Sequence, residues 1–328
     1  MKNILFIRLK SIGDVLLVLP AVHLVRANFP QARITFLTSM ENVPLLEGFR
    51  EINDIIALDR AGFKSGNPLR ILIQAFSLLH RLRAGNFDLA VDFQGYGETA
   101  WLAWLSGASQ RWGSVYAPGR RWAYTRGVAR NDDIQIADWN LSLLEQCGLK
   151  PGPIRNEFVL PEGALADARR FFAAQGLDPA KPTLFIQPFT STPKKNWPLE
   201  NYLALAGHWR TRGGQVIFGG GPGNCAALEP ARQLGFPLSA GVPLLTSAGI
   251  VRLSTLVVGG VTGLLHLAVA LQKRTVMLVG YPDREPGFPY QHRDWAITSP
   301  SGGHVSEIPI STVIEACARA FAESGAAS

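Results

Sequence analysis

The sequence predicts an α/β protein made of two parallel-sheet domains, and three observations support this fold class. Short apolar runs alternate with segments of helical period through the first half of the chain, as in a parallel sheet covered by helices on both faces. The pattern breaks at a Pro-Gly-Pro stretch, residues 151–153, and then resumes. At 328 residues, the chain is also long enough for two domains of ordinary size.

In the first half, apolar runs predict strands and periodic segments predict helices. The predicted strands are residues 4–9, 33–38, 54–58 and 87–92, and the predicted helices are residues 14–29, 68–84 and 99–105. We expect these elements to form a first domain over residues 1–152.

The second half repeats the alternation after a predicted helix at residues 162–175. Further strands are predicted at residues 183–187, 215–219, 255–258 and 275–279, with helices at residues 199–212, 224–234 and 264–271. We expect a second domain over residues 153–310. Residues 311–328 are predicted to contain a final helix, capped by Ser311 and ending near Glu323. Packing of this helix on the first domain is one of its possible positions.

Composition limits the class of protein. Hydrophobic residues make up 47% of the chain and charged residues 17%, which is typical of a globular protein. The three cysteines are far apart and suit neither a disulfide framework nor a zinc site. The uncharged stretch 253–271 contains glycines that favour strand, turn and helix over a membrane span, and residues 1–9 are too short for a signal-peptide core. We therefore expect a cytoplasmic protein.

Residues 8–14 (RLKSIGD) place a carboxylate at the first strand-to-helix turn. Ligands of open α/β sheets bind beyond the carboxyl ends of the strands, so Asp14 is a candidate for chemistry. Only Gly13 is present where the dinucleotide fingerprint needs three glycines. A nicotinamide cofactor and an oxidoreductase are therefore disfavoured.

A net charge of +7 favours anionic partners. Residues 111–130 combine arginine with tryptophan and tyrosine, which predicts either a solvated loop face or a surface for an anionic, amphipathic acceptor. Residues 92–95 (DFQG), after the fourth predicted strand, are either a site edge or a structural Asx turn. No nucleic-acid recognition motif is present, so no such partner is expected. The acceptor-binding candidates are Lys10, Gln94, Arg120 and Arg121.

Three turns in the second half are predicted to bind a pyrophosphate. Residues 188–198 supply hydroxyls and lysines, residues 218–224 supply glycines, and a helix predicted to begin near Thr262 offers its N-terminus to an anion. His266, on that helix, is either a core histidine or part of the site. The candidate residues for this pyrophosphate-binding site, called donor-binding residues below, are Thr190, Ser191, Lys195, Gly220, Gly221, Thr262, Gly263 and His266.

We expect the carboxylate of one domain to face the diphosphate-binding turns of the other across a central cleft. This arrangement suits the displacement of a nucleoside diphosphate from a sugar. Asp14 would take the proton of the attacking acceptor hydroxyl, while fixed positive groups hold the leaving diphosphate. The chain contains no Asp-x-Asp pair, so neither a metal ion nor another cofactor is predicted.

Four motifs in this order resemble glycosyltransferase family 9, the ADP-heptose:lipopolysaccharide heptosyltransferases. They are residues 8–14 with Pro20, residues 92–95, residues 195–198 (KNWP) and residues 262–268 (TGLLHLA). The resemblance implies a GT-B fold of two Rossmann-like domains, with acceptor bound by the first and donor by the second. It also implies an inverting, metal-independent transfer to the inner core of lipopolysaccharide, assembled on the cytoplasmic side.

By this resemblance Asp14 matches the catalytic base, Thr190, Ser191 and Lys195 match the donor-phosphate loop, and Thr262 and Gly263 match the phosphate-binding helix start. The family usually has an acidic residue where this chain has Val261. The expected donor is ADP-heptose and the expected acceptor an anionic lipid-linked glycan at the inner face of the cytoplasmic membrane. Because of Val261, a different nucleotide-sugar as the donor, or a protein or another glycan as the acceptor, is an alternative. A nucleotide-sugar-binding protein without turnover is a further alternative, disfavoured by Asp14 and Lys195.

Overall fold

The computed structural model describes residues 1–63, 66–280 and 287–325, and it forms two compact units, Met1–Asn156 and Glu157–Ser328. The boundary falls shortly after the expected one at residue 152. Each unit contains a parallel β-sheet and α-helices, so the predicted α/β class with two parallel-sheet domains is confirmed. Residues 326–328 of the predicted final segment lie outside the described ranges.

The sheet of the first unit has six strands in the order β3-β2-β1-β4-β5-β6. They are β1 (Asn3–Ile7), β2 (Arg33–Ser39), β3 (Asp54–Leu58), β4 (Leu89–Asp92), β5 (Gln110–Val115) and β6 (Arg126–Ala129). All neighbours pair in parallel. Because Ile7 on β1 pairs with Asp92 on β4, these two strands end side by side, which brings the residues following them together.

The helices of the first unit are α1 (Ile12–Leu16), α2 (Leu19–Asn28), α3 (Arg60–Phe63), α4 (Pro68–Ala84), α5 (Gly97–Leu105) and α6 (Ile136–Gln146). The prediction of a single helix over residues 14–29 was wrong, because the helix is interrupted between α1 and α2. Pro20 explains the break: it has no backbone N–H and is accommodated in the first turn of α2.

Residues 111–130 are not a continuous loop, which corrects one of the two predictions for this stretch. They contain most of β5, a 3₁₀ segment (Pro118–Ala123) and β6. Trp112 on β5 and Tyr124 just before β6 are buried, whereas Arg111 on β5 is half-buried and Arg126 on β6 is exposed. Arginine-rich strands near the sheet edge lack the continuous apolar run that predicts a buried strand.

The sheet of the second unit has the order β11-β10-β9-β7-β8. Its strands are β7 (Thr183–Gln187), β8 (Gln215–Phe218), β9 (Leu256–Gly260), β10 (Thr275–Val279) and β11 (Ala296–Thr298). The helices are α7 (Glu162–Ala174), α8 (Leu199–Arg210), α9 (Glu229–Gln233), α10 (Leu244–Leu253), α11 (Gly263–Ala270) and α12 (Ile310–Gly325). Every residue of β7, β9 and β10 is buried, as expected for a parallel sheet covered on both faces.

Two predictions for the second half need correction, and one helix was not predicted. Residues 224–234 are not one helix: a 3₁₀ turn (Pro222–Asn224) precedes the short α9. The final helix begins at Ile310, so Ser311 lies inside it and is not its cap. Its buried side chains Val313, Cys317 and Ala320 belong to the apolar core of the second unit. Helix α10 was missing from the prediction because its apolar residues surround the helix and give no amphipathic period.

Within the described ranges, no helix has both the length and the apolar composition that crossing a bilayer requires.

Candidate active site

Asp14 lies in the first turn of α1, directly after the end of β1. Its Oδ2 atom accepts a hydrogen bond from the Ser11 backbone N–H at 3.1 Å and lies 2.7 Å from Nη2 of Arg8. The side chain is 30% exposed. The carboxylate is therefore held in one orientation while remaining accessible to a ligand.

Arg8 connects the ends of β1 and β4 and fixes the position of Asp14. Its side chain is 9% exposed, and Nη1 donates to the Phe93 carbonyl at 2.7 Å. Nε donates to the Lys10 carbonyl at 3.1 Å. A guanidinium held by several hydrogen bonds in its own plane has little freedom left. This role of Arg8 was not predicted, although the position of an arginine directly after a buried strand is a signal present in the sequence.

Gln94 supports the same turn from the neighbouring strand. Its side chain is 1% exposed, and Oε1 accepts hydrogen bonds from the backbone N–H groups of Leu9 and Lys10 at 2.9 and 3.3 Å. The structure therefore places the Gln94 amide against the turn that carries Asp14. Its assignment as an acceptor-binding residue stays a prediction. Lys10 is exposed, with its ammonium group 5.9 Å from the centre of the Tyr96 ring.

Asp92, at the end of β4, is fully buried and organises the strand end. Its Oδ1 atom accepts hydrogen bonds from the backbone N–H groups of Gln94 and Gly95, each at 2.9 Å, and Oδ2 accepts one from the Tyr124 hydroxyl at 2.6 Å. Burial raises the pKa of Asp92 above its usual range in spite of these donors. Residues 92–95 were predicted to be either a site edge or a structural Asx turn, and the hydrogen bonds of Asp92 are those of an Asx turn. Gly95 has φ of +71°, and a side chain there would collide with the Ser114 carbonyl.

Replacing Tyr124 by phenylalanine is expected to destabilise the first unit. Tyr124 and Asp92 are both buried, so the lost hydroxyl leaves a carboxylate oxygen with an unmet hydrogen bond. We expect the free energy of unfolding to fall by about 2 kcal/mol, the usual cost for a hydrogen bond to a buried charged group. Urea denaturation followed by circular dichroism measures this. Tyr116→Phe, at an exposed tyrosine, is the control and should change stability little.

Tyr96 lies near two of the predicted acceptor residues, Lys10 and Arg120. Together with Glu98, Tyr116 and Arg120 it lines an open pocket of about 610 Å³. Arg120 Nη1 donates to the Gly95 carbonyl at 3.0 Å, which fixes this side chain at the end of β4. Lys10 lies over the Tyr96 ring, and Arg120 lines the same pocket as Tyr96. Arg121 is exposed and donates to the Gly127 carbonyl at 3.0 Å, on β6.

The three predicted donor turns of the second unit lie side by side. They follow β7, β8 and β9, and these strands are neighbours in the sheet, with β7 between the other two. Gln187 at the end of β7 pairs with Gly259 on β9, and the Gly219 N–H donates to the Ile186 carbonyl at 2.8 Å. Since parallel strands end at the same edge, the predicted donor residues share one edge of this sheet.

The turn after β7 is held by its own side chains. The Thr190 N–H donates to Asn196 Oδ1 at 2.8 Å, and the Thr190 hydroxyl donates to the Thr192 carbonyl at 2.8 Å. Ser191 is exposed and Lys195 half-buried, at the end of a 3₁₀ turn (Pro193–Lys195). Trp197 anchors the end of the loop: it is 1% exposed, and Nε1 donates to the Ile308 carbonyl at 2.9 Å.

Gly260, the last residue of β9, allows this loop to approach the strand. A Cβ atom on Gly260 would lie 2.8 Å from Thr190 Cγ2 and 3.0 Å from the Lys195 carbonyl oxygen. Real Cβ atoms essentially never show the first distance, and the second is unusually tight, so this close approach favours glycine at position 260. The loop after β7 and the start of α11 are thereby brought together, a relation that the sequence alone did not indicate.

Helix α11 begins as the sequence predicted. Thr262 is its N-cap, and Oγ1 accepts a hydrogen bond from the Leu265 N–H at 3.2 Å. Gly263 is the first helical residue, and the N–H groups of a first turn have no carbonyl partner within the helix. His266 is 7% exposed, as a core histidine would be, and its backbone N–H donates to the Thr262 carbonyl at 3.1 Å. A role for its ring in ligand binding stays a prediction.

The glycines after β8 close a tight turn. A Cβ atom on Gly220 would lie 3.1 Å from both Asn224 Cβ and Leu228 Cδ1, and the Gly221 N–H donates to Asn224 Oδ1 at 3.0 Å. Local packing alone thus accounts for glycine at position 220. Donor binding by this turn stays a prediction.

Comparison with known proteins now decides the family. Residues 75–309 match the model of glycosyltransferase family 9 (heptosyltransferase). The chain belongs to this family. The match includes Gln94, Arg120 and all three donor turns, whereas Asp14 lies before it.

Individual members of family 9 are distant in sequence and close in fold. Lipopolysaccharide heptosyltransferase 3 of Escherichia coli K12 is 24% identical over 213 residues, which cover 64% of this chain and only 60% of that protein's own length. The crystal structure of the glycosyl transferase family 9 from Veillonella parvula has a TM-score of 0.88 at 20% identity, covering 98% of this chain and 97% of that one. An E. coli heptosyltransferase solved with ADP-2-deoxy-2-fluoro heptose has a TM-score of 0.77 at 20% identity, covering 97% and 99%. The predicted GT-B fold of two Rossmann-like domains is confirmed.

Proposed function

We propose that this chain transfers a heptose from ADP-heptose to the inner core of lipopolysaccharide, with inversion at the anomeric carbon and without a metal ion. The observation that carries the proposal is the Asp14 carboxylate, fixed by Arg8 and Ser11 and still 30% exposed. Membership of family 9 supports glycosyl transfer. A lipopolysaccharide heptosyltransferase and a heptosyltransferase that binds an ADP-heptose analogue support the acceptor and the donor.

In the proposed reaction Asp14 takes the proton of an acceptor hydroxyl as its oxygen attacks the anomeric carbon of the donor. The new carbon–oxygen bond forms on one face of the sugar while the bond to the diphosphate breaks on the other. ADP leaves with the bonding electron pair, and this single displacement inverts the configuration.

The growing negative charge on the leaving diphosphate needs stabilisation. Lys195 supplies a positive charge, and the N-terminus of α11 at Thr262 and Gly263 supplies backbone N–H groups. Fixed positive groups of this kind lower the barrier because they need no rearrangement during the reaction. In our proposal they take over the task that a divalent cation has in other transferases.

The acceptor in this proposal is an anionic, lipid-linked glycan presented at the inner face of the cytoplasmic membrane, so the protein acts in the cytoplasm with peripheral membrane contact. Lys10 and Arg120, beside the pocket at Tyr96, suit phosphate or carboxylate groups on such a glycan.

The direct test is to incubate the protein with ADP-heptose and deep-core-truncated lipopolysaccharide, in buffer with EDTA. We expect ADP release, a mass gain of one heptose on the lipopolysaccharide, and an inverted anomeric configuration by NMR. A binding screen of ADP-, GDP- and UDP-sugars identifies the nucleotide. Preference for a nucleotide other than ADP would overturn the donor assignment, and loss of activity in EDTA would overturn metal independence.

Val261 favours one variation of this function. It occupies the position before Thr262 where the family usually has an acid, and it is half-buried between β9 and α11. A donor sugar other than heptose is therefore the second candidate, with the same base and the same diphosphate-binding turns. Turnover of another ADP-sugar faster than ADP-heptose would support it.

Replacing Gly260 by alanine is expected to weaken ADP binding about tenfold, since the added methyl group must displace Thr190 or Lys195. Calorimetric titration of ADP measures this effect. Gly163→Ala is the control, because no atom lies within 4 Å of a Cβ at that position. Unchanged ADP affinity in Gly260→Ala would exclude the loop after β7 from the donor site.

A further inference from the structure

Helix α4 exposes a stripe of large apolar side chains. Leu69, Leu72, Ile73 and Phe76 are 66, 66, 60 and 72% exposed. Their spacing of three and four residues aligns them on one side of the helix. The opposite side faces the core of the first unit through Leu82 and the partly buried Leu78. The helix is therefore apolar on its outer face as well as its inner one.

Three tryptophans form a second exposed apolar group. Trp101 and Trp104 on α5 and Trp122 in the segment Pro118–Ala123 are 53, 44 and 48% exposed. Their rings contact one another, with centroids 4.6 to 6.2 Å apart. Because α4 packs against α5, the two apolar groups lie on neighbouring elements. Exposed apolar clusters of this extent on a soluble protein usually mark a binding surface.

Basic residues outnumber acidic ones around these groups, where Glu98 on α5 is paired with Arg60 and Asp59 with Arg70. Helix α4 contains arginines at positions 70, 81 and 83 and no acidic residue. Residues 99–131 contain no Asp or Glu; of their five arginines, Arg121 and Arg126 are exposed, Arg111 and Arg120 are half-buried, and the Arg130 side chain is 6% exposed and paired with Asp132. A second copy of this chain would bring positive charge against positive charge, which opposes association through this face. An anionic surface would be complementary.

We propose that the α4 stripe and the tryptophan cluster dock this protein onto the surface of an anionic phospholipid bilayer. Tryptophan is favoured at the boundary between lipid and water, and leucine and phenylalanine on the outer face of an amphipathic helix insert below the headgroups. The arginines attract the anionic headgroups. Trp122 shares its 3₁₀ segment with Arg120, so docking brings the pocket at Tyr96 to the bilayer, and this part of the inference rests on the proposed lipid-linked acceptor.

The test is co-sedimentation of the full chain with vesicles of phosphatidylcholine, with and without phosphatidylglycerol, in the absence of any sugar donor. We expect binding that requires phosphatidylglycerol and weakens with salt. Phe76→Glu and Trp104→Glu should each reduce binding about tenfold or more, because a carboxylate cannot enter the bilayer. The matched control is Leu234→Glu, which makes the same charge change at a leucine that is 49% exposed in the second unit, and should bind as the wild type does. Circular dichroism verifies the fold of each variant.

The outcomes separate docking from catalysis. If Phe76→Glu and Trp104→Glu bind vesicles as well as Leu234→Glu, the docking surface is wrong. If light scattering instead shows a dimer that Phe76→Glu dissociates, and vesicles are not bound, the face is a protein interface and the inference is overturned. With acceptor presented in detergent micelles, both variants should release ADP normally. Vesicle binding without ADP release by the wild type would contradict the proposed reaction and leave docking intact.

Discussion

Asp14→Asn is expected to reduce the rate of ADP release about 10³-fold, within the usual contribution of a general base. Asparagine has almost the same size and can still accept the Ser11 N–H, so the turn keeps its shape, but its amide cannot take a proton. Donor binding should change little. A coupled assay for released ADP and calorimetric titration of the donor measure the two properties separately.

Asp54→Asn is the matched control for this substitution. Asp54 is also in the first unit, in an exposed ion pair with Arg33, and exposed pairs contribute little to stability. Its loss should leave both turnover and donor affinity unchanged. Near-normal turnover by Asp14→Asn would show that another group takes the proton and that the mechanism proposed here is wrong.

Lys195→Met is expected to lower kcat/KM about 10²-fold, the size of effect found when one fixed group stabilising a transition-state charge is removed. Methionine keeps most of the aliphatic chain but carries no charge. The loop itself should persist, because it is held by the Thr190 and Asn196 hydrogen bond and by Trp197. Steady-state kinetics with varied donor concentration measure the effect.

The neighbouring Lys194 provides the control, since Lys194→Met removes the same charge from the same 3₁₀ turn at an exposed position. We expect nearly unchanged kcat/KM for this variant. Equal losses in the two variants would indicate a general electrostatic attraction of the donor, and a larger loss in Lys194→Met would move the proposed phosphate contact to that residue.

The sequence predicted those parts of the fold that have a strong local signal. The core strands were recognisable as apolar runs because a parallel sheet buries both faces, as in β7 with every residue buried. The start of α11 was predicted because Thr262 is an N-cap and glycine follows it. The alternation of strands and helices predicted that each donor turn follows a strand, whereas the neighbouring positions of the three turns depend on the strand order of the folded sheet.

The remaining features depend on contacts between distant parts of the chain. The edge strand β6 and its neighbour β5 each contain an arginine, Arg126 and Arg111, whose direction depends on the packed sheet. The hydrogen bonds from the Leu9 and Lys10 N–H groups to the Gln94 amide oxygen join the ends of two strands that are far apart in the sequence. The contact of Gly260 with Thr190 and Lys195 spans strands separated by many residues. No local pattern encodes such pairs, because they arise only when the sheet order is set.

The anchoring of Arg8 separates the proposed base from the segment that contains the predicted acceptor residue Arg120. Arg8 reaches from the end of β1 to the Phe93 carbonyl beyond β4, so the position of Asp14 is determined by the register of two central strands. The surface that contains Arg120 and Trp122 belongs to a separate segment between β5 and β6. Insertions or substitutions there could change which glycan is accepted without moving the proposed base. New acceptors can therefore evolve while the reaction itself is inherited unchanged.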